Sequence, residues 1–222
     1  SVSLKSTFNS AGAENPRKDI AEAPVGINGL VFKTTDADAT FAHMQALGIA
    51  GDPPKSFSRP VKLPEGEKDA AFRTVTVRPG VFPGGRVYFC EHHTPDLVWR
   101  PEWQSHGNGI QAIPEFVIAS NDHAGEAETF AKLLHSDVSG SGDSLSVAIT
   151  DAQITVMTPA AYAERYGALA SPMAGRSSIF GALVFRTYSL DKIRAAASNT
   201  IDEAKRVVVR VSDFDAVLEF VE

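Results

Sequence analysis

Apolar positions in this chain fall into runs that repeat. LVFKT at 30–34 returns as LVFRT at 183–187, an apolar strand closing on a basic residue and Thr. A helix signal follows each copy. After the first, Asp36 is a cap, Phe41, Met44 and Leu47 recur three apart on one helix face, and Gly48 is a stop. After the second, Ser189 is the cap, with Leu190 and Ile193 on one face. A looser copy lies between them, with a strand at 116–119 and a helix carrying Phe130, Leu133 and Leu134. Each helix then runs into strands divided by Pro and Gly: 55–62, 71–78 and 85–92, then 144–150 and 153–158, then RVVVRV and AVLEFVE. The last copy reads as short between Ser198 and Arg206, and SGSGD at 139–143 reads as a flexible turn.

The repeated unit is strand, helix, then two or three strands. That is an α+β pattern with helices on one face of each sheet. One such unit cannot cover its own sheet, so units are expected to pair. The boundaries follow from composition. Residues 1–24 read as an N-terminal remnant, 25–106 as the first βαβββ module, and 107–222 as paired second and third modules. Three modules leave one without a partner. That partner is expected before residue 25, and SVSLKSTF reads as its last strand, so the chain is expected to begin inside a longer protein.

Bulk properties narrow the class. The chain has 222 residues, 43% hydrophobic and 22% charged, enough for a real core. A net charge of −6 argues against a general nucleic-acid or anionic-membrane binder. No apolar run approaches the roughly 20 residues that span a bilayer. One cysteine excludes an internal disulfide framework and fits a reducing, cytoplasmic setting. The expected partner is a small molecule, with a homodimer compatible with the pairing requirement.

The repeated βαβββ unit, together with the stretch RVYFCEHHTPDLVWRPEWQSHGNG, resembles the vicinal oxygen chelate superfamily, the glyoxalase and bleomycin-resistance fold. More narrowly it is similar to the glyoxalase-like domain proteins. The resemblance implies modules pairing into open, cup-shaped mixed sheets with helices outside and a site within the cup. It also implies a divalent metal held by a His near the start of a first strand and a Glu on a last strand. Counting back seven residues from each helix cap reaches Gly29, Glu115 and Ala182, of which only Glu115 can ligate. On the last strands Glu219 stands where the family's Glu belongs, and in the first module the position falls on Phe89 or Glu91. The metal set is therefore Glu115 and Glu219. Two carboxylates without a histidine suit Fe, Mn, Ni or Zn poorly, which favours absence of a metal over its presence.

The densest cluster of chemistry is FCEHH at 89–93. In a strand adjacent side chains face opposite ways, so Cys90, Glu91, His92 and His93 cannot share one ion. Cys90 reads as a buried small hydrophobe. If the segment lines the cup, Glu91, His93 and Glu219 are the proton-moving candidates, and Arg73, Phe89, Trp99, Arg100 and Trp103 contact substrate, Arg100 as a bidentate anion clamp. If not, Trp99, Arg100 and Trp103 form a packed turn that holds two modules in register, a reading favoured for large aromatics. Two functions follow. One is a glyoxalase-like enzyme of isomerase, lyase or dioxygenase type acting on an oxygenated molecule. The other is a metal-free protein that binds or sequesters a small molecule, as bleomycin-resistance proteins do.

Overall fold

The computed structural model describes residues 25–222, so the expected remnant and strand within residues 1–24 lie outside the described residues. The first module comprises β1 (Gly29–Thr34), α1 (Ala37–Ala46), β2 (Lys55–Leu63), β3 (Gly66–Thr76) and β4 (Arg86–His92). These strands form one sheet in the order β1-β4-β3-β2, with β1 parallel to β4 and the remaining pairs antiparallel. The Asp36 side chain accepts from the backbone N–H of Ala39, the cap that the sequence implied.

The second module comprises β5 (Ile110–Ser120), α2 (His123–Leu134), β6 (Val138–Ser141), β7 (Ser144–Ile149) and β8 (Ala152–Met157). A connecting helix α3 (Pro159–Tyr166) leads to the third module: β9 (Ser178–Thr187), α4 (Leu190–Ala196), β10 (Thr200–Glu203), β11 (Arg206–Val211) and β12 (Ala216–Val221). Their strands make one eight-stranded sheet, β10-β11-β12-β9-β5-β8-β7-β6. Its centre is the antiparallel pair β5–β9. Pro114, which has no N–H to give, sits where that pairing slips between Ala112 and Glu115.

Two expectations are corrected here. The third module is not short, because TIDE at 200–203 forms β10 and pairs antiparallel with β11. The stretch at 139–143 is only partly a turn, since Val138–Ser141 pairs with β7 as β6. Both strands are four residues long, lie at sheet edges and carry one apolar side chain each, Val138 and Ile201, so neither shows an apolar alternation.

Alternation gives each sheet two unlike faces. Phe116 and Ile118 of β5 turn outward to Phe130 and Ala127 of α2, while Leu190 and Ile193 of α4 pack on Val207 and Phe220. The opposite, concave face carries Val117, Ala119, Ala182, Val208 and Val217. That concavity is not left open along its length. Helix α3 lies in it, with Tyr162 and Tyr166 fully buried four residues apart. The Tyr162 hydroxyl donates to the Gly181 carbonyl at 2.9 Å. A Cβ at Gly181 would stand 2.5 Å from the Tyr162 ring, so glycine there makes room for the helix.

The first sheet and the eight-stranded sheet share one core through their helix-covered faces. Phe32, Met44, Val75 and Phe89 join Phe116, Ile118, Phe130 and Val147 in a single cluster. Phe82, from the loop before β4, stacks on Phe130 with ring centroids 4.0 Å apart. The two concave faces therefore turn away from each other. Phe130→Ala is expected to lower unfolding stability by about 3–5 kcal/mol in urea melts, the usual cost of deleting a buried aromatic. A double-mutant cycle with Phe82→Ala should give a coupling of at least about 0.5 kcal/mol. Additive losses would mean that the stack does not join the two sheets energetically.

Candidate functional site

Glu115 and Glu219 come from strands of different modules and arrive on one face. In the ladder Glu115 and Glu219 both pair with Val184 of β9, one from each side. A third residue ties them together. Arg165, in the last turn of α3, donates from Nη1 and Nη2 to the two oxygens of Glu115 at 2.9 and 2.8 Å. The same Nη2 and Nε donate to Oε2 of Glu219 at 2.8 and 3.1 Å. One guanidinium thus gives four of its five N–H donors to two carboxylates, with the bidentate fit that lysine could not give.

Further contacts complete the cluster. Thr155 donates to Glu115 Oε1 at 2.6 Å, and Gln153 donates to Thr155. The Tyr166 hydroxyl donates to Glu219 Oε2 at 2.9 Å, while Arg206 stands 3.6 Å from the other Glu219 oxygen and pairs with Glu203. The arginine also lies 5.3 Å from the Tyr166 ring centre. Glu219 is only 4% exposed. Burial alone would push the Glu115 carboxyl up, but hydrogen bonds and charge from Arg165, helped by Thr155, hold it below the ordinary glutamate range. Burial and the Glu219 charge push the Tyr166 phenol well up, so it stays protonated and acts as a donor.

Beside this cluster opens a cleft of about 520 Å³. Its walls include Glu115, Gln153, Arg165, Arg186, Glu219 and Glu222. A transition-metal site does not fit this donor set. The two carboxylate ligands expected from the sequence hold a guanidinium, and among the described residues no cluster of three or more His, Cys, Asp and Glu side chains is arranged around a common point.

The remaining sequence candidates lie elsewhere. Glu91 does not line a cup: its Oε2 accepts from the backbone N–H of Ala37 at 3.1 Å, capping α1 on the helix-covered side. Glu222 does the same for Leu190 and α4, which shows the carboxylate to be a helix-capping device of the repeat. His93 stands 3.3 Å from Glu91, on that side. Arg73 also lies there, bidentate to Asp38 and 3.7 Å from Glu91. Phe89 is core. The position in the first module that matches Glu219 is neither Phe89 nor Glu91. Val184 pairs with Glu219 in β9–β12, and Val31, its equivalent in the LVFKT repeat, pairs with Tyr88. The expected register was off by one residue, which inverts the face. Glu91 and Glu219 therefore occupy different sheets and do not form one catalytic set.

The aromatic turn folds back over the first sheet. Leu97 and Val98 pack on Ala70, Phe72 and Cys90, and Trp99 lies 5.8 Å from His92. Arg100 binds Glu65 at 2.9 Å and also Glu102, and its guanidinium lies 5.6 Å from the Trp103 ring. With both carboxylates in place, that guanidinium serves the turn as a staple.

This architecture is that of a vicinal oxygen chelate protein. The chain belongs to the glyoxalase-like domain family, whose model matches residues 6–134. A structure of a hypothetical protein from Staphylococcus aureus superposes over 98% of this chain and 75% of its own, with TM-score 0.66 and 9% identity. A Mn(II)-bound glyoxalase from Novosphingobium aromaticivorans covers 88% of this chain and 62% of its own, at TM-score 0.48 and 14% identity. Methylmalonyl-CoA epimerase from Mycobacterium tuberculosis covers 53% and 91%, at TM-score 0.40 and 15% identity. No curated protein matches the sequence significantly. Membership in this family supports a small-molecule enzyme or binding protein in general. No helix among the described residues is long and apolar enough to cross a membrane.

Arg165, Tyr166, Thr155 and Arg206 were not singled out in the sequence. The signal was present in YAERYG, where two tyrosines four apart flank an arginine. Arg165→Met is expected to cost about 3–5 kcal/mol of stability at pH 7, because it leaves two buried carboxylates uncompensated. Without Arg165, burial raises the Glu115 carboxyl above its unfolded value, so the folded variant binds more protons and its deficit shrinks as pH falls from 7 towards 5. In the parent protein Glu115 works in the opposite sense, its contribution being lost as pH falls through its lowered pKa. Urea melts at both pH values check this. A deficit independent of pH would assign the loss to packing, not charge.

Proposed function

We propose that the eight-stranded cup binds a small molecule beside the Glu115–Arg165–Glu219 cluster and does so without a catalytic metal. The observation that supports this reading is the single guanidinium shared by both carboxylates at hydrogen-bonding distance. Isomerase, lyase or dioxygenase chemistry of the metal-assisted kind needs open positions on a cation for the substrate's oxygens. Arg165 offers none, since its nitrogens that face the carboxylates are committed to them. Proton abstraction is also poorly served at this point: Glu115, its carboxyl held below the ordinary range by Arg165 and Thr155, is a weak base, and Tyr166 is held protonated. The cleft is therefore read as a binding cup whose polar wall is pre-formed, with Gln153, Arg186 and Glu222 at hand for a ligand's hydrogen-bonding groups. A cytoplasmic small-molecule binder, alone or as a homodimer, fits the reading.

Native mass spectrometry and elemental analysis of protein purified without chelators or nickel resin test it. The expected result is substoichiometric Fe, Mn, Ni and Zn, a melting temperature indifferent to EDTA, and a small organic mass released on denaturation. One metal per chain that disappears in Glu115→Gln and Glu219→Gln would overturn the proposal and restore the metal-dependent enzyme.

A further inference from the structure

The cleft beside the Glu115–Arg165–Glu219 cluster holds a guanidinium that the cluster does not use. Arg186 follows Val184 by two positions on β9, so its side chain falls on the same concave face, one step towards the open end of the cup. It lines the cleft, is exposed, and among the described residues makes no hydrogen bond or ion pair. In this it differs from Arg165, Arg194, Arg206 and Arg210, each of which is paired with a carboxylate.

A free charge of opposite sign lines the same cleft. Asp151, in the β7–β8 turn, is exposed and likewise makes no hydrogen bond or ion pair among the described residues. Strands β8 and β9 flank β5 on its two sides, so the two groups are carried about two strand spacings apart, roughly 10 Å. They do not pair with each other. Between them the cleft is lined by Pro114 and Val184, which offer only apolar surface. The other carboxylates of the wall are engaged: Glu115 and Glu219 share Arg165, and Glu222 accepts from the backbone N–H of Leu190. A ligand with negative charge alone would stand among these carboxylates and leave Asp151 unmatched. One with positive charge alone would leave Arg186 unmatched and be repelled by it.

We infer that the cleft takes a small zwitterion whose two charges are set apart by a short chain, such as an ω-amino acid or a dipeptide. Its carboxylate lies on the fork of Arg186, its ammonium group on Asp151, and its chain over Pro114 and Val184. The inference rests on the reading of the cup as a metal-free binding site and adds the class of molecule it holds. Both charged contacts are exposed to water, so each contributes only a few-fold to affinity. The signature of the site is therefore selectivity for two charges on one molecule, not tight binding.

Isothermal titration calorimetry with 6-aminohexanoate and glycylglycine, against hexanoate and hexylamine at constant ionic strength, tests it. The zwitterions are expected to bind saturably, about fivefold more tightly than either singly charged analogue. Arg186→Gln and Asp151→Asn, both at exposed and unpaired positions, are expected to keep the parent melting temperature. The first should weaken 6-aminohexanoate and hexanoate but not hexylamine; the second should weaken 6-aminohexanoate and hexylamine but not hexanoate. Equal affinity for all four compounds would overturn the inference, as would binding of none of them, or zwitterion binding that neither substitution moves. The reading of the cup itself is decided separately, by metal content and retained organic mass. A metal-free protein that releases a molecule bearing only one kind of charge would overturn this inference and leave that reading standing.

Discussion

Glu115 and Glu219 reach one point of a concave sheet from two different modules, and neither could remain there ionised by itself. Removing a carboxylate from water costs several kcal/mol unless an opposite charge and hydrogen bonds replace the lost hydration. Arg165 supplies both. Because its guanidinium must lie between the two glutamates, helix α3 has to lie within the cup. Tyr162, Tyr166 and Leu169 then fill the concavity that the strands create. The charge pairing and the apolar filling each require the other, since without the buried tyrosines the cluster would be wet and without the cluster the helix would cover two bare charges.

The same constraint shapes what is left for a ligand. A helix inside the cup reduces the open space to a cleft at one end of the sheet, bounded by the β7–β8 turn and the end of β12. The polar groups of that cleft are fixed by strands and by a helix locked in place, not by mobile loops. Such a wall is pre-organised, and binding to it loses little to ordering. Chemistry that calls for a cation with free coordination positions would instead require Arg165 to leave four hydrogen bonds, a rearrangement that would expose both carboxylates.

Much of this fold was legible in the sequence, and the reasons are physical. LVFRT marks a first strand because a central, buried strand reads as an unbroken apolar run, LVFKT repeats it although β1 is an edge strand with Val31 exposed, and the caps that follow are local signals. The eight-stranded pairing follows from the need of each module to cover its sheet. Glu115 was legible through its counted offset from a helix cap, and Glu219 through the last-strand Glu that the family resemblance implies. What decides their role was not, because Arg165 lies 50 residues from Glu115 and 54 from Glu219, and nothing local says on which side of a sheet an amphipathic connecting helix settles. Glu91 was misread for a related reason. A carboxylate near the end of a strand looks the same in sequence whether it faces a cup or caps a helix, and a shift of one residue in register exchanges the two.

The two sheets show how one repeated module serves two surfaces of unlike chemistry. At the position where β12 carries Glu219, β4 carries Tyr88, and where β5 carries Glu115 the first strand of the first module carries Gly29 by the same count from its cap. Among the described residues, the first sheet thus has no central carboxylates to neutralise and no helix drawn into its concavity. Its open face is covered instead by the short turn carrying Leu97 and Val98, which leaves rings and cations at the surface. One sheet encloses its charges in a closed ion cluster; the other is covered by a short apolar and aromatic turn. The difference follows from a few side chains at equivalent positions on a common frame, which is why the frame alone says little about what either face binds.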